Sequence, residues 1–153
     1  MNWFKLVGST ENPVRKNWAE EEPWIFTKVH FPRNKRPNKI SNGELIVIYA
    51  VASKVLLATQ TVASTAPASK ERNGAPGTDE HRWPWEIWVH THYYCSPLED
   101  APVLREVAPE FAERHAKKFR EGSHWPIEDS EYEQLAAAVQ QYGRPYTVDT
   151  GRG

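Results

Sequence analysis

Basic and aromatic residues form the clearest chemical pattern in this sequence. The segment 28–39 contains Lys28, His30, Arg33, Lys35, Arg36 and Lys39 and no acidic residue. The chain also has seven tryptophans, more than a core of this size requires. Lys and Arg side chains bind phosphates, and flat aromatic rings stack on nucleobases. The combination predicts a surface for nucleic acid, although a charge run of this kind is also typical of a solvated loop.

A base lifted out of its helix can be held between aromatic walls and read on its edge by amides or hydroxyls. The candidate walls are Trp18, Trp24, Tyr49 and Trp83, and the candidate polar readers are Asn17, Ser53 and Asn42. The candidate contacts to the nucleic-acid backbone are Lys28, Arg33, Lys35, Arg36, Lys39 and Arg82. For each aromatic residue the alternative is a place in the core, because large aromatic side chains are mostly structural.

Other chemistries have weaker support in the sequence. It has no glycine-rich phosphate loop and no Walker-type lysine. Cys95 falls on the core-facing side of its strand, which does not favour a catalytic thiol. His90 and His92 share one strand face at a spacing that can chelate a metal, but no cysteine or carboxylate cluster accompanies them. We therefore predict neither a metal nor another cofactor.

Length and composition indicate one domain with a genuine core, since the chain has 153 residues. The formal net charge of −1 argues against indiscriminate binding to nucleic acid, which depends on many phosphate contacts, but it allows a local basic face. A single cysteine fits a reducing compartment. The sequence shows neither a signal peptide nor an apolar run of about 20 residues. We expect a cytoplasmic protein.

The segment 82–95 should position these residues, because apolar and polar side chains alternate along it. Ile87, Val89 and Thr91 fall on one side, and Trp88, His90 and His92 fall on the other. The first side continues with Trp85, Tyr93 and Cys95, and the second with Glu86 and Tyr94. This alternation predicts a β-strand. Its entrance, 82–85, combines arginine with two tryptophans and is a possible recognition surface.

The remaining segments predict a sheet followed by helices. Strands are expected at 3–7, 24–29, 45–50 and 55–64, and a long flexible loop at 65–80. A helix should begin at Pro109 and end at Gly122, and a second should begin near Ser130 with a capping box to Glu133. The segment 147–153 is expected to be a tail. The sum is an α+β domain with a curved sheet or small barrel.

The order of these motifs resembles an EVE domain, within the PUA-like group that also holds YTH and ASCH domains. The segment 39–50 resembles the family's turn and buried strand ending in tyrosine, and 82–89 resembles its strand of arginine, aromatic, proline and aromatic residues. Further similar segments are the aromatic-led 3–7, the polar loop at 17–18, the strand 55–64 and the segment 123–132.

The resemblance implies a single domain over 1–146, a PUA-like pseudo-barrel of five to six mostly antiparallel strands with flanking helices. It also implies a non-enzymatic pocket for a flipped, modified base, such as methylated or hydroxymethylated cytosine or methyl-adenine, in DNA or RNA. Two alternatives stay open. One is an ASCH-like hydrolase acting on RNA or nucleosides through residues such as Lys54, Thr59 and Glu86. The other is a protein-interaction module that uses exposed tryptophans.

Overall fold

The computed structural model describes residues 1–64 and 70–147. The first five residues of the predicted loop 65–80, and all but Thr147 of the predicted tail, lie outside the described residues. Within the described part, one sheet contains all the strands. They are β1 (Asn2–Val7), β2 (Lys28–Phe31), β3 (Leu45–Ala50), β4 (Val55–Val62), β5 (Lys70–Glu71), β6 (Trp85–Tyr94), β7 (His124–Ile127) and β8 (Arg144–Pro145).

The sheet runs in the order β2-β6-β4-β3-β1-β7, and the short strands β5 and β8 pair with β6. The β1–β3 pair is parallel, and the other described pairs are antiparallel. The sheet curls, so the ring of His124 on β7 lies 4.8 Å from the ring of Phe31 on β2 at the opposite edge. The predicted α+β class is confirmed: the curled sheet forms a half-barrel flanked by helices, consistent with a pseudo-barrel.

Strand β6 is the central organising element, because it pairs with β2, β4, β5 and β8. Its alternation follows the prediction from Ile87 to His92, with buried and exposed side chains in turn. A register shift then places Thr91 opposite Gln60 and Tyr93 opposite Thr59, so the strand bulges at His92. Beyond the bulge the predicted polar face is not kept, since Tyr94 packs edge-on against the core ring of Phe26.

The helices are short except for the last one. They are α1 (Trp18–Glu21), α2 (Asp79–Arg82), α3 (Leu104–Val107), α4 (Pro109–Arg114), α5 (Ala116–Glu121) and α6 (Asp129–Tyr142), with 3-10 turns at Pro23–Phe26 and Leu98–Asp100. No helix in the described ranges combines the length and the apolar character needed to cross a bilayer.

Two of the predicted helix details were wrong. The single helix expected from Pro109 to Gly122 is divided at His115, whose Nε2 lies 2.7 Å from a carboxylate oxygen of Glu131 on α6. The capping box of α6 uses Glu128 and Glu131 rather than Ser130 and Glu133, because the N-cap lies two residues earlier than predicted.

The strand predicted at 24–29 was also misplaced. Pro23 opens a 3-10 turn that buries Ile25 and Phe26, and the strand β2 begins only at Lys28. The described part of the predicted loop is likewise more ordered than expected. Residues 70–71 pair with β6, and α2 begins at Asp79 with the side chain of Thr78 as its N-cap.

Candidate functional site

The structure contains a cavity of about 680 Å³. Its lining comes from the end of β1 with the loop that follows, the turn at Pro23–Phe26, strand β2, the segment from Arg72 to Glu86, and the end of α5. We call it the β1–β2 cavity. This volume lies within the range of about 300–1,000 Å³ that is typical of small-molecule and cofactor sites.

Two tryptophans line the β1–β2 cavity. Trp24 lies in the 3-10 turn and remains 40% exposed, although indole is costly to leave in water. The centre of its ring is 5.1 Å from that of the His30 ring, and the two ring planes are tilted by 37°. Trp83 ends α2, is partly buried, and accepts a 2.7 Å hydrogen bond at its carbonyl from Nη2 of Arg72. The cavity therefore offers aromatic surface that the core does not use.

A polar cluster lies beside these aromatic residues. His30 on β2 and Glu86 on β6 are cross-strand partners, and Nε2 of His30 lies 2.9 Å from Oε2 of Glu86. Burial is the main reason why the pKa of His30 lies below its ordinary value, so the ring is neutral at pH 7. Because an ionised carboxylate only accepts, Nε2 donates to Glu86 and Nδ1 keeps an acceptor lone pair.

Arg72 completes this cluster from the segment after β5. Its Nε lies 4.0 Å from Oε2 of Glu86, close enough for charge attraction but too long for a hydrogen bond. Nε is buried and has no hydrogen-bond partner among the described residues. An unsatisfied buried donor is costly, so an acceptor that reached this group would stabilise it.

Lys5 on β1 gives the cavity wall an unusual amine. The side chain is buried, and its Nζ donates to the carbonyl of Leu6 and lies 4.9 Å from the centre of the Phe31 ring. Burial lowers the pKa of Lys5 to about 7. No carboxylate in the described ranges forms an ion pair with it. At neutral pH this amine exists in both its charged and its neutral form.

The lining of the β1–β2 cavity carries charges of both signs. Lys28 and Arg72 contribute positive charge, and Glu22, Asp79 and Glu80 contribute negative charge. A cavity of this composition does not favour a polyanion inside it. It suits a neutral, flat and polar ligand that can stack and form hydrogen bonds.

Two of the predicted aromatic walls belong to the core instead. Trp18 is fully buried, packs against Phe26, and donates from Nε1 to the carbonyl of Cys95 at 2.8 Å. Tyr49 is 7% exposed and packs between Phe4 and Phe119. Neither lines the cavity. The structure thus places both residues in the core, the alternative that was open for each aromatic residue.

The predicted polar readers lie elsewhere. Asn17 is the exposed N-cap residue of α1, and Asn42 is exposed in the turn before β3. Ser53 lies in the turn between β3 and β4 and is partly buried. None of the three lines the β1–β2 cavity.

The predicted phosphate contacts differ in the partners that they have in the fold. Arg33 forms an ion pair of 3.5 Å with Glu71, Arg36 lies 4.5 Å over the ring of Trp85, and Nη2 of Arg82 donates to the carbonyl of Gly77. Three further residues are the remaining candidates, namely Lys28, Lys35 and Lys39. No carboxylate in the described part of the chain lies within ion-pair distance of these three. Of the six, Lys28 lines the cavity.

Sequence reasoning missed the polar cluster of His30, Glu86 and Arg72 as ligand-facing groups. His30 was visible as part of the basic run, and Glu86 as a polar position of β6 and as one residue of the hydrolase alternative. The cross-strand register of β2 and β6, which brings them together, could not be read from periodicity. For the hydrolase alternative, Glu86 lines the cavity, while Thr59 is buried in β4 and Lys54 is exposed in the β3–β4 turn.

The histidine pair considered for a metal also has a defined place. The rings of His90 and His92 are 5.4 Å apart, and Nε2 of His92 is hydrogen-bonded to Oγ1 of Thr61 at 2.5 Å. In residues 1–64 and 70–147 there is no group of three or more His, Cys, Asp or Glu residues that could hold a metal ion.

Known proteins share the fold of this chain. No protein-family model matches it, and no curated protein sequence matches it. Two similar solved structures are Rpa0253 from Rhodopseudomonas palustris and Atu2648 from Agrobacterium tumefaciens, each with a TM-score of 0.56. Rpa0253 is 12% identical, with 92% of this chain and 93% of that chain covered. Atu2648 is 13% identical, with 97% and 99% covered. At these identities the likeness is one of fold alone.

Proposed function

We propose that this protein is a non-enzymatic nucleic-acid reader that accepts a flipped, modified base in the β1–β2 cavity. One observation carries the proposal: the two tryptophans outside the core that line this cavity lie beside an unsatisfied, buried arginine donor. Stacking on Trp24 or Trp83 would replace the base stacking that is lost on flipping. The resemblance to EVE domains in the segments 39–50 and 82–89 supports the same function.

The polar cluster would read the edge of the base. Nδ1 of His30 would accept a hydrogen bond, and the guanidinium of Arg72, which lines the cavity, would donate one. A base edge with a neighbouring donor and acceptor satisfies both groups at once, as the Watson–Crick edges of cytosine and adenine do. A methyl group on the base would add an apolar contact to these hydrogen bonds, and a hydroxymethyl group would add a polar one. Membership of the EVE family is part of this proposal.

Removal of either cavity tryptophan should weaken binding to the modified strand. Base–aromatic stacking contributes about 1–3 kcal/mol per base, so Trp24→Ala or Trp83→Ala should reduce affinity about 5- to 150-fold. The measurement is fluorescence anisotropy with paired oligonucleotides, unmodified against 5-methylcytosine, 5-hydroxymethylcytosine or methyl-adenine. Single- and double-stranded DNA and RNA should be compared at two salt concentrations, because phosphate contacts depend on salt.

Tyr142→Ala is the matched control, because Tyr142 is 50% exposed at the end of α6 and does not line the cavity. It should leave binding unchanged. Equal affinity of wild-type protein for every modified strand and its plain counterpart would overturn the reader proposal. Cleavage of any strand during the assay would favour the hydrolase alternative instead.

A further inference from the structure

The exposed face of β6 carries a second aromatic surface outside the β1–β2 cavity. Trp88 is 46% exposed in the middle of a strand, while its neighbours Ile87 and Val89 are buried. His90 and His92 follow it on the same face and are also exposed. We call Lys28, Trp88, His90 and His92 the β6 strip. Alternate side chains on one face place three aromatic rings over about 14 Å of strand.

Lys28 joins the β6 strip to the cavity. It is the cross-strand partner of Trp88, and its Nζ lies 4.5 Å from the centre of the Trp88 ring. The same side chain lines the β1–β2 cavity. A cation that lies on an exposed indole and borders a cavity is positioned to bind a phosphate between a base inside the cavity and the next base outside it.

The chemistry of the strip favours nucleobases over other ligands. Partial desolvation and the nearby His90 hold the pKa of His92 below its ordinary value, so its ring is neutral at pH 7 and can stack as an aromatic surface. Oγ1 of Thr61, from the neighbouring strand, fixes the orientation of this ring. The strip residues carry no carboxylate to repel phosphates. The cavity lining carries several, among them Glu86 on the same face of β6.

We propose that the β6 strip binds the unpaired nucleotides that flank the base held in the cavity, so that the ligand of this protein is single-stranded nucleic acid. This inference rests on the proposed reader function. In a duplex the faces of the bases are covered by their neighbours, and only an unpaired strand can place successive bases on Trp88 and the two histidines. The formal net charge of −1 agrees with a single-stranded ligand, because tight binding to a duplex needs many phosphate contacts.

The test uses an unmodified, mixed-sequence strand as DNA, as RNA, and annealed to its complement. Wild-type protein should bind either single strand more tightly than the duplex. Trp88→Ala should weaken single-strand binding about 5- to 150-fold, Trp88→Phe should retain most of it, and Tyr142→Ala should have no effect. Lys28→Ala should reduce the slope of log affinity against log salt by about 0.7, the value for one phosphate contact on a single strand.

Failure of this inference can be told from failure of the reader function. If the cavity accepts no base, modified and plain strands bind equally, but the loss in Trp88→Ala persists. If the strip does not bind nucleotides, Trp88→Ala binds every strand as wild type does, while Trp24→Ala still loses its preference for the modified strand. Ultraviolet cross-linking gives an independent readout, since the peptide that contains Trp88 should carry the nucleotide adduct. Equal binding of duplex and single strand, or adducts confined to other peptides, would overturn the proposal.

Discussion

Replacement of Trp18 by alanine should lower the free energy of unfolding by about 3–5 kcal/mol, the usual cost of truncating a large buried aromatic. The indole is fully buried against Phe26 at 5.0 Å and Tyr94 at 6.0 Å. Truncation leaves a cavity and also removes the donor that satisfies the buried carbonyl of Cys95. Urea denaturation followed by far-ultraviolet circular dichroism measures the loss.

Trp18→Phe and Trp24→Ala are the informative comparisons. Phenylalanine keeps most of the apolar contact but leaves the Cys95 carbonyl unpaired, so the loss should be intermediate, about 1–3 kcal/mol. Trp24 is 40% exposed, so Trp24→Ala should change stability by less than about 1 kcal/mol. Trp18→Phe should also keep any preference for a modified base. Comparable destabilisation by Trp18→Ala and Trp24→Ala would contradict the assignment of one tryptophan to the core and the other to the cavity.

The strands with a strong pattern were predictable from the sequence. The continuous apolar run of β3 is buried along nearly its whole length, and the alternation of β6 matches its buried and exposed sides up to His92. These patterns depend only on spacing along the chain, so they can be recognised without knowing which strands pair. The α+β class followed from the order of such elements.

The features that depend on distant partners were not predictable. The parallel pairing of β1 with β3 and the bulge at His92 are set by the register of neighbouring strands. Trp18 begins the one-turn helix α1 and Trp24 lies in a 3-10 turn. Both elements are too short to show a periodic pattern, although Trp18 is fully buried and Trp24 is 40% exposed. The sequence therefore could not separate the buried Trp18 from the partly exposed Trp24.

The contacts of the candidate site show the same limit. His30, Arg72 and Glu86 lie far apart along the chain, and the pairing of β2 and β5 with β6 brings their segments together. Likewise, nothing in the sequence of β1 distinguishes Lys5 from a lysine at the surface. Its burial is a result of the curl that brings Phe31 over it, and the pKa follows from that burial.

The stability of the wild-type protein should rise between pH 7 and pH 9 because of Lys5. In the unfolded chain this amine has the ordinary lysine pKa of 10.5, and in the fold burial lowers it to about 7. Between these values the unfolded state binds more protons than the folded state, so unfolding becomes less favourable as the pH rises. Over pH 7 to 9 the free energy of unfolding should increase by about 2 kcal/mol. Chemical denaturation at a series of pH values measures this slope.

Lys5→Met should remove the slope and raise stability at pH 7, because an apolar chain of similar length has no charge to desolvate. Lys117 is exposed on α5, so Lys117→Met should keep the wild-type profile.

Other titratable groups limit the pH range over which stability rises. The pKa of His124, lowered to about 4 chiefly by burial, makes stability fall as the pH drops below about 6.5. Burial raises the pKa of Cys95 to about 12, so this thiol makes stability fall as the pH rises above about 9. A wild-type profile that is flat between pH 7 and 9, or a Lys5→Met profile with the same slope, would show that Lys5 is not buried as an amine in the fold.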